Sequence, residues 1–246
     1  MHDTPQPLVA HLRELRLRLI YCTVVFLAFF CISYYFSQDI FQFLVQPLVD
    51  ILSTHHEPRR LIYTSLTEAF TTYLRVAAFS AFFITFPFMA MQIWRFVVPA
   101  LYVREKKIVR LFFMATPLLF FLGAIFAYYI IFPNAYAFFL SFESPGAQGM
   151  LPIQLEPKVN EYLNFVMRLT LAFGICFEMP VVLSLLALGG IINKAMLVKR
   201  WRIAVVLIFT LAAFVTPPDI LSMIGLAIPL LILYALSVVM IGCIER

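Results

Sequence analysis

The chain has 246 residues, of which 63% are hydrophobic and 13% charged, with a formal net charge of +5; an ordinary soluble domain holds roughly 45–50% apolar and about 25% charged residues. So few charges cannot cover a water-exposed globule, which excludes a soluble enzyme, a disordered chain and, despite the basic balance, a nucleic-acid binder. The composition is that of a polytopic membrane protein, and at roughly 40 residues for a span with its loop the length admits about six spans.

The polar start of the chain reaches Arg18, and the apolar run after it is long enough to remain as a span, so the N-terminus does not read as a cleavable signal peptide. The expected spans are 19–36, 71–94, 110–132, 161–188, 203–216 and 220–243, all within a single membrane domain. Between the first two, residues 39–50 place Ile40, Phe41, Leu44, Val45 and Leu48 at helical spacing, a short amphipathic helix that Pro47 should interrupt. Pro87 should kink the second span. Pro133-Asn134 should end the third, and Pro180 should bend the fourth, which two glycines, Gly189-Gly190, then close. About 14 helical residues in the fifth reach only about 21 Å against a ~30 Å apolar core. With the sixth span held to it by a tight turn, this short pair should thin the bilayer locally or sit against a partner; if it thins the bilayer, Ile208 and Leu230 are the positions expected to face lipid.

Charge orients the bundle. If the N-terminus is inside, the inner segments hold Arg13, Arg16, Arg18, Arg95, Arg104, Lys106, Lys107, Arg110, Lys194, Lys199, Arg200, Arg202 and Arg246, against Arg59, Arg60 and Lys158 outside. Both termini are therefore expected in the cytoplasm. Cys22, Cys31, Cys176 and Cys243 lie in apolar runs and read as small hydrophobes rather than a disulfide or metal framework. The His55-His56 pair reads as a solvated loop. HExxH, GxSxG, P-loop and Rossmann patterns are absent, so neither a catalytic site nor a cofactor is expected.

Four segments carry chemistry. The run 11–18, with Glu14 and Arg18 one turn apart, leads into the first span and is equally explained by an i,i+4 pair. The loop 99–107 holds Glu105 as the one acid among bases. Glu178 lies in the fourth span between Gly174, which permits close helix approach, and Pro180; a carboxyl within a span costs about 3 kcal/mol unless paired, wetted or protonated, and marks a polar site. Thr216-Pro217-Pro218-Asp219 forms a turn in which Asp219 can cap the last helix.

Taken in order, these segments resemble the TatC family, the multispanning core subunits of the twin-arginine protein translocase. The resemblance rests on His11-Leu12-Arg13-Glu14-Leu15-Arg16, on Gln92-Ile93-Trp94-Arg95 through Pro99-Ala100-Leu101-Tyr102 into the Glu105 loop, and on Phe126-Ala127-Tyr128-Tyr129 with Pro133. It continues through Ala172-Phe173-Gly174 to Glu178 and Pro180, the 216–219 turn, and Ala227-Ile228-Pro229. Arg104 stands where the family often has His, Leu66 and Ala69 where some members have prolines, and Met223 where some have Gln.

The resemblance implies an all-α, six-helix fold with both termini inside, shaped as a concave bundle with short fifth and sixth helices. It further implies binding of twin-Arg signal peptides of folded precursors by Glu14 and Glu105, with Arg16, Tyr102 and Trp94 around them. An arginine fork pairs with a carboxylate in a way lysine cannot. It implies contact of the 216–219 turn and its neighbourhood with small single-helix subunits of the TatA/TatB type, self-association, residence in a bacterial or organellar inner membrane, and export driven by the proton-motive force without nucleotide. Two rival readings are a proton- or cation-coupled secondary transporter using Glu178, for which the sequence shows no duplicated half, and a membrane scaffold.

Overall fold

The computed structural model describes residues 8–53, 61–97, 106–144, 151, 156–216 and 220–244. Among these residues, α-helices run in the order α1 (Leu8–Tyr35), α2 (Ser37–Ser53), α3 (Glu68–Val97), α4 (Lys106–Phe126), α5 (Phe132–Leu140), α6 (Val159–Cys176), α7 (Met179–Leu188), α8 (Lys194–Lys199), α9 (Trp201–Val215) and α10 (Ile220–Ile244), with a π-helical turn at Ala127–Ile131. Among the described residues there is no strand, only an isolated parallel bridge between Ile62 and Lys158. Among the described residues, five stretches are long and apolar enough to cross a membrane: Leu12–Tyr35, Glu68–Phe96, Phe112–Leu140, Val159–Leu188 and Ser222–Cys243. The apolar helix α9 is shorter, 15 residues. The protein is an all-α membrane protein, and large apolar side chains such as Leu19, Val24, Val206, Phe214, Ile232 and Val239 stay exposed on its outer faces.

Three proline expectations are corrected. Pro47 does not interrupt α2. Its missing N–H frees the Phe43 carbonyl, and the Tyr128 hydroxyl donates to that carbonyl while the two rings stack with centroids 5.0 Å apart. One residue on, Tyr162 donates to the Leu44 carbonyl at 2.9 Å. Pro133-Asn134 does not end the third span either. The π turn shifts the backbone register, with Phe132 N–H donating to the Ala127 carbonyl, and Asn134 Nδ2 donates to the Ile130 carbonyl at 2.6 Å. A proline then sits in the first turn of α5, where its lack of an N–H costs nothing. Pro180 does more than bend the fourth span. The helix breaks at Phe177-Glu178, and Pro180 opens α7. Pro87 lies inside α3 and Pro229 inside α10.

The helices pack as an ordered row. α1 packs on α3 and touches α2; α3 packs on α4 and α6; α4 lies along α6; α7 packs on α10, and α10 on α9. The α4–α6 contact is close because both sides carry glycine. A Cβ at Gly123 would lie 2.6 Å from the Phe173 carbonyl oxygen, and one at Gly174 would lie 2.6 Å from the Phe120 ring. The small-residue approach expected at Gly174 is therefore present, and its partner is Phe120, fully buried and stacked on Phe86 at 3.8 Å. Ile208 and Leu230, expected to face lipid, are buried, and Leu207 and Ile232 are exposed instead. The main core joins α2, the π turn and α5, α6, α9 and α10, with Leu48, Phe132, Leu163, Phe173 and Leu226 at or near zero exposure.

Candidate functional site

One end of the row collects the beginning of α1, the end of α3 and the basic helix α8, and is called the basic end here. Asn193 caps α8 through a hydrogen bond from the Met196 N–H at 2.7 Å. The opposite end is tied by polar contacts between loops. Glu68, buried, accepts from the Thr64 and Ser65 backbone N–H groups at 2.6 and 3.2 Å and from the Thr64 hydroxyl at 3.1 Å, all on Oε2. Its Oε1 accepts from the Asn160 N–H at 3.1 Å, at the start of α6. Arg75 donates to Asn160 Oδ1 at 2.6 Å beside it. One carboxylate thus caps α3 and clasps α6. The α2 helix lies over this region, and a crevice of about 450 Å³ opens beneath it, lined by Asp39, Phe43, Phe79, Phe83, Phe121 and Tyr129 among others.

At the basic end, Glu14 pairs with Arg18, as their spacing allowed. Arg18 also crosses to α3, where Nη1 donates to Gln92 Oε1 at 3.0 Å and Nη2 to the Arg95 carbonyl at 3.4 Å. Arg16 is exposed on α1. Trp94 turns toward α4, its indole N–H donating to the Thr116 hydroxyl at 3.2 Å. Tyr102 and Glu105 lie outside the described residues.

Glu178 sits in the break between α6 and α7, 6% exposed, and its side chain caps no helix N–H. Neither carboxyl oxygen closes a hydrogen bond of normal geometry among the described residues, and the Thr116 hydroxyl is the neighbouring polar group that acts on it. The Trp94–Thr116 hydrogen bond lies beside Glu178 at the α6–α7 break, without reaching it. A buried carboxyl so short of donors is either held neutral or completed by a ligand or water. Arg168, the other charge within the fourth span, has a structural partner: its Nη2 donates to the Phe214 carbonyl at the end of α9, where a cation also suits the helix dipole. Thr216 follows, buried, its hydroxyl bonded to the Ala212 carbonyl at 2.9 Å. Pro217, Pro218 and Asp219 lie outside the described residues.

Sequence reasoning missed the Arg18–Gln92 cross-link, the Glu68 clasp and the role of Thr116. The first two depend on contacts between residues 74 and 92 positions apart, which no local pattern carries. A Thr nearly three turns into an apolar helix is the hint the sequence offers for the third.

Helix breaks carrying polar groups, an apolar row and a basic end define a polytopic membrane protein with polar clusters at both ends and one at a helix break between them. The family described as "Sec-independent protein translocase protein (TatC)" matches residues 10–229. A protein named Sec-independent protein translocase protein TatC from Rickettsia prowazekii is 44% identical over 96% of this chain and 92% of its own. One of the same name from Magnetococcus marinus is 40% identical over 98% of this chain and 85% of its own. A solved structure described as "Crystal Structure of Twin Arginine Translocase Receptor- TatC" superposes with a TM-score of 0.79 at 36% identity, covering 96% of this chain and all of that one. The chain belongs to the TatC family of Sec-independent protein translocase proteins.

Proposed function

We propose that the chain is the receptor and core subunit of a twin-arginine translocase, binding the paired arginines of precursor signal peptides at its basic end. The observation that carries the reading is the partly exposed carboxylate of Glu14 at that end, in a chain whose relatives carry a translocase name. Glu105 is the second acceptor, since two guanidinium forks need two carboxylates; Arg16, Tyr102 and Trp94 surround them. The basic end faces the cytoplasm, following the excess of Lys and Arg there. The chain crosses an inner membrane six times, at 19–36, 71–94, 110–132, 161–188, 203–216 and 220–243, with α9 as the short fifth crossing. Small single-helix subunits of the TatA/TatB type pack near the 216–219 turn, and copies of the chain self-associate. The proton-motive force drives export without nucleotide or cofactor, and the chain itself performs no covalent chemistry. The transporter reading built on Glu178 has no support among these relatives and is set aside.

The test is binding of a twin-Arg signal peptide to the purified chain. Glu105→Ala is expected to weaken binding more than Glu14→Ala, because Glu14 is shared with Arg18; each loss should be about tenfold or more, the size of one charge-assisted hydrogen bond. Unchanged affinity in both variants refutes the assignment.

A further inference from the structure

The fork of Arg18 closes on a single oxygen of Glu14. Its Nε donates to Oε1 at 3.0 Å and its Nη2 donates to the same atom. Among the described residues, no hydrogen bond to Glu14 Oε2 accompanies these. The Arg18 side chain is 21% exposed and that of Glu14 36%, so the pair is partly withdrawn from water yet open on the Glu14 side. An ordinary i,i+4 pair has no further anchor and breaks when either chain rotates. Here Gln92 Oε1 and the Arg95 carbonyl, both on α3, hold the guanidinium in place from a second helix.

We propose that Arg18 is an internal competitor for Glu14 and sets the preference of the site for arginine over lysine, an inference that rests on the reading of Glu14 as a signal acceptor. A bidentate ligand needs both carboxylate oxygens, and one of them already carries two donors. An incoming cation must displace Arg18 from Oε1 before it takes the whole carboxylate. A signal guanidinium replaces the fork with an equal one, two parallel N–H groups in a plane. An ammonium offers a point charge with no matching fork, and gains too little at Glu14 to expel the resident one. Displaced Arg18 is not left unpaired, since Gln92 and the Arg95 carbonyl still accept from it, so the exchange is reversible. The site thus rejects lysine through what it must remove as well as through what it binds.

The experiment compares a twin-Arg signal peptide and its Lys-Lys version for binding to the full chain in detergent, in wild type, Arg18→Gln, Arg18→Lys, Glu14→Ala and Glu105→Ala. Arg18→Gln should raise Lys-Lys affinity by about tenfold, one charge-assisted hydrogen bond's worth, and twin-Arg affinity by less, so the ratio narrows. Arg18→Lys keeps the charge and removes the fork, and should narrow the ratio too; if Arg18→Gln does not fold, this variant decides. An unchanged ratio, or equal weakening of both peptides, while Glu14→Ala still weakens twin-Arg binding, makes Arg18 a packing residue and overturns the inference. If Glu14→Ala and Glu105→Ala both leave twin-Arg binding intact, the acceptor reading itself falls and takes this one with it.

Discussion

Tyr128→Phe removes one oxygen and nothing else: the ring keeps its stack on Phe43, at an interplanar angle of 3°. What it leaves behind is the Phe43 carbonyl, which Pro47 has already deprived of its helical donor. An acceptor left without a partner next to a side chain 7% exposed costs about 1–3 kcal/mol. Pro47→Ala restores an N–H four residues after Phe43, so in that background the carbonyl keeps a bond and Tyr128→Phe should cost only about 0.5–1 kcal/mol. The coupling between the two positions should therefore be about 1 kcal/mol, roughly a fivefold change in the unfolding equilibrium. A double-mutant cycle on the purified protein, followed by reversible denaturant unfolding in micelles, measures it. Equal cost of Tyr128→Phe in both backgrounds would show that the hydroxyl does not substitute for the missing N–H, and the account of why α2 survives its proline would be wrong.

Glu178→Gln keeps hydrogen bonding without ionisation and should retain transport within about twofold, whereas Glu178→Ala should lose it by more than about tenfold; loss in both points to a proton relay, and normal transport in Ala removes the functional role. Gly174→Ala drives a methyl into the Phe120 ring, which cannot retreat because it is stacked on Phe86, so a loss of about 1–3 kcal/mol in micellar unfolding is expected, relieved by a second change of Phe120→Leu; an unaltered stability would show that the contact is slack. If the short α9 thins the bilayer, single cysteines at the exposed positions Leu207 and Ile232 should react with water-soluble maleimide faster than one at exposed Leu118 in α4, and equal protection in liposomes counts against thinning.

The fold class was legible because bilayer chemistry writes itself into composition: long uncharged runs and a one-sided excess of Lys and Arg. Five long apolar helices among the described residues reflect the same chemistry. The breaks were not legible, because a proline states only that an N–H is missing. Whether the helix stops depends on what becomes of the lost bond: Tyr128 supplies it in α2, and a π turn precedes the proline in α5, neither of which a proline rule consults. Lipid-facing positions failed on α9 and α10, since sequences apolar all round carry no face to read. At the site, Glu14 and Arg18 were visible as a local pair and Glu178 as an acid in an apolar run. Gln92, the partner of Arg18 on α3, and Thr116, the polar neighbour of Glu178 on α4, follow only from packing.

The row of helices has two free margins. α1 leans on α3 and α2, α9 leans on α10, α6 and α8, and no packed interface joins α1 to α9 among the described residues. A fence whose ends do not meet surrounds no enclosure. The crevice beneath α2, about 450 Å³, is far smaller than even a 100-residue folded domain, whose radius of gyration is about 13 Å. Among the described residues, one copy of this chain shows no bore through which a folded domain of that size could travel. An opening of that width needs a boundary that the two margins of one such row do not supply.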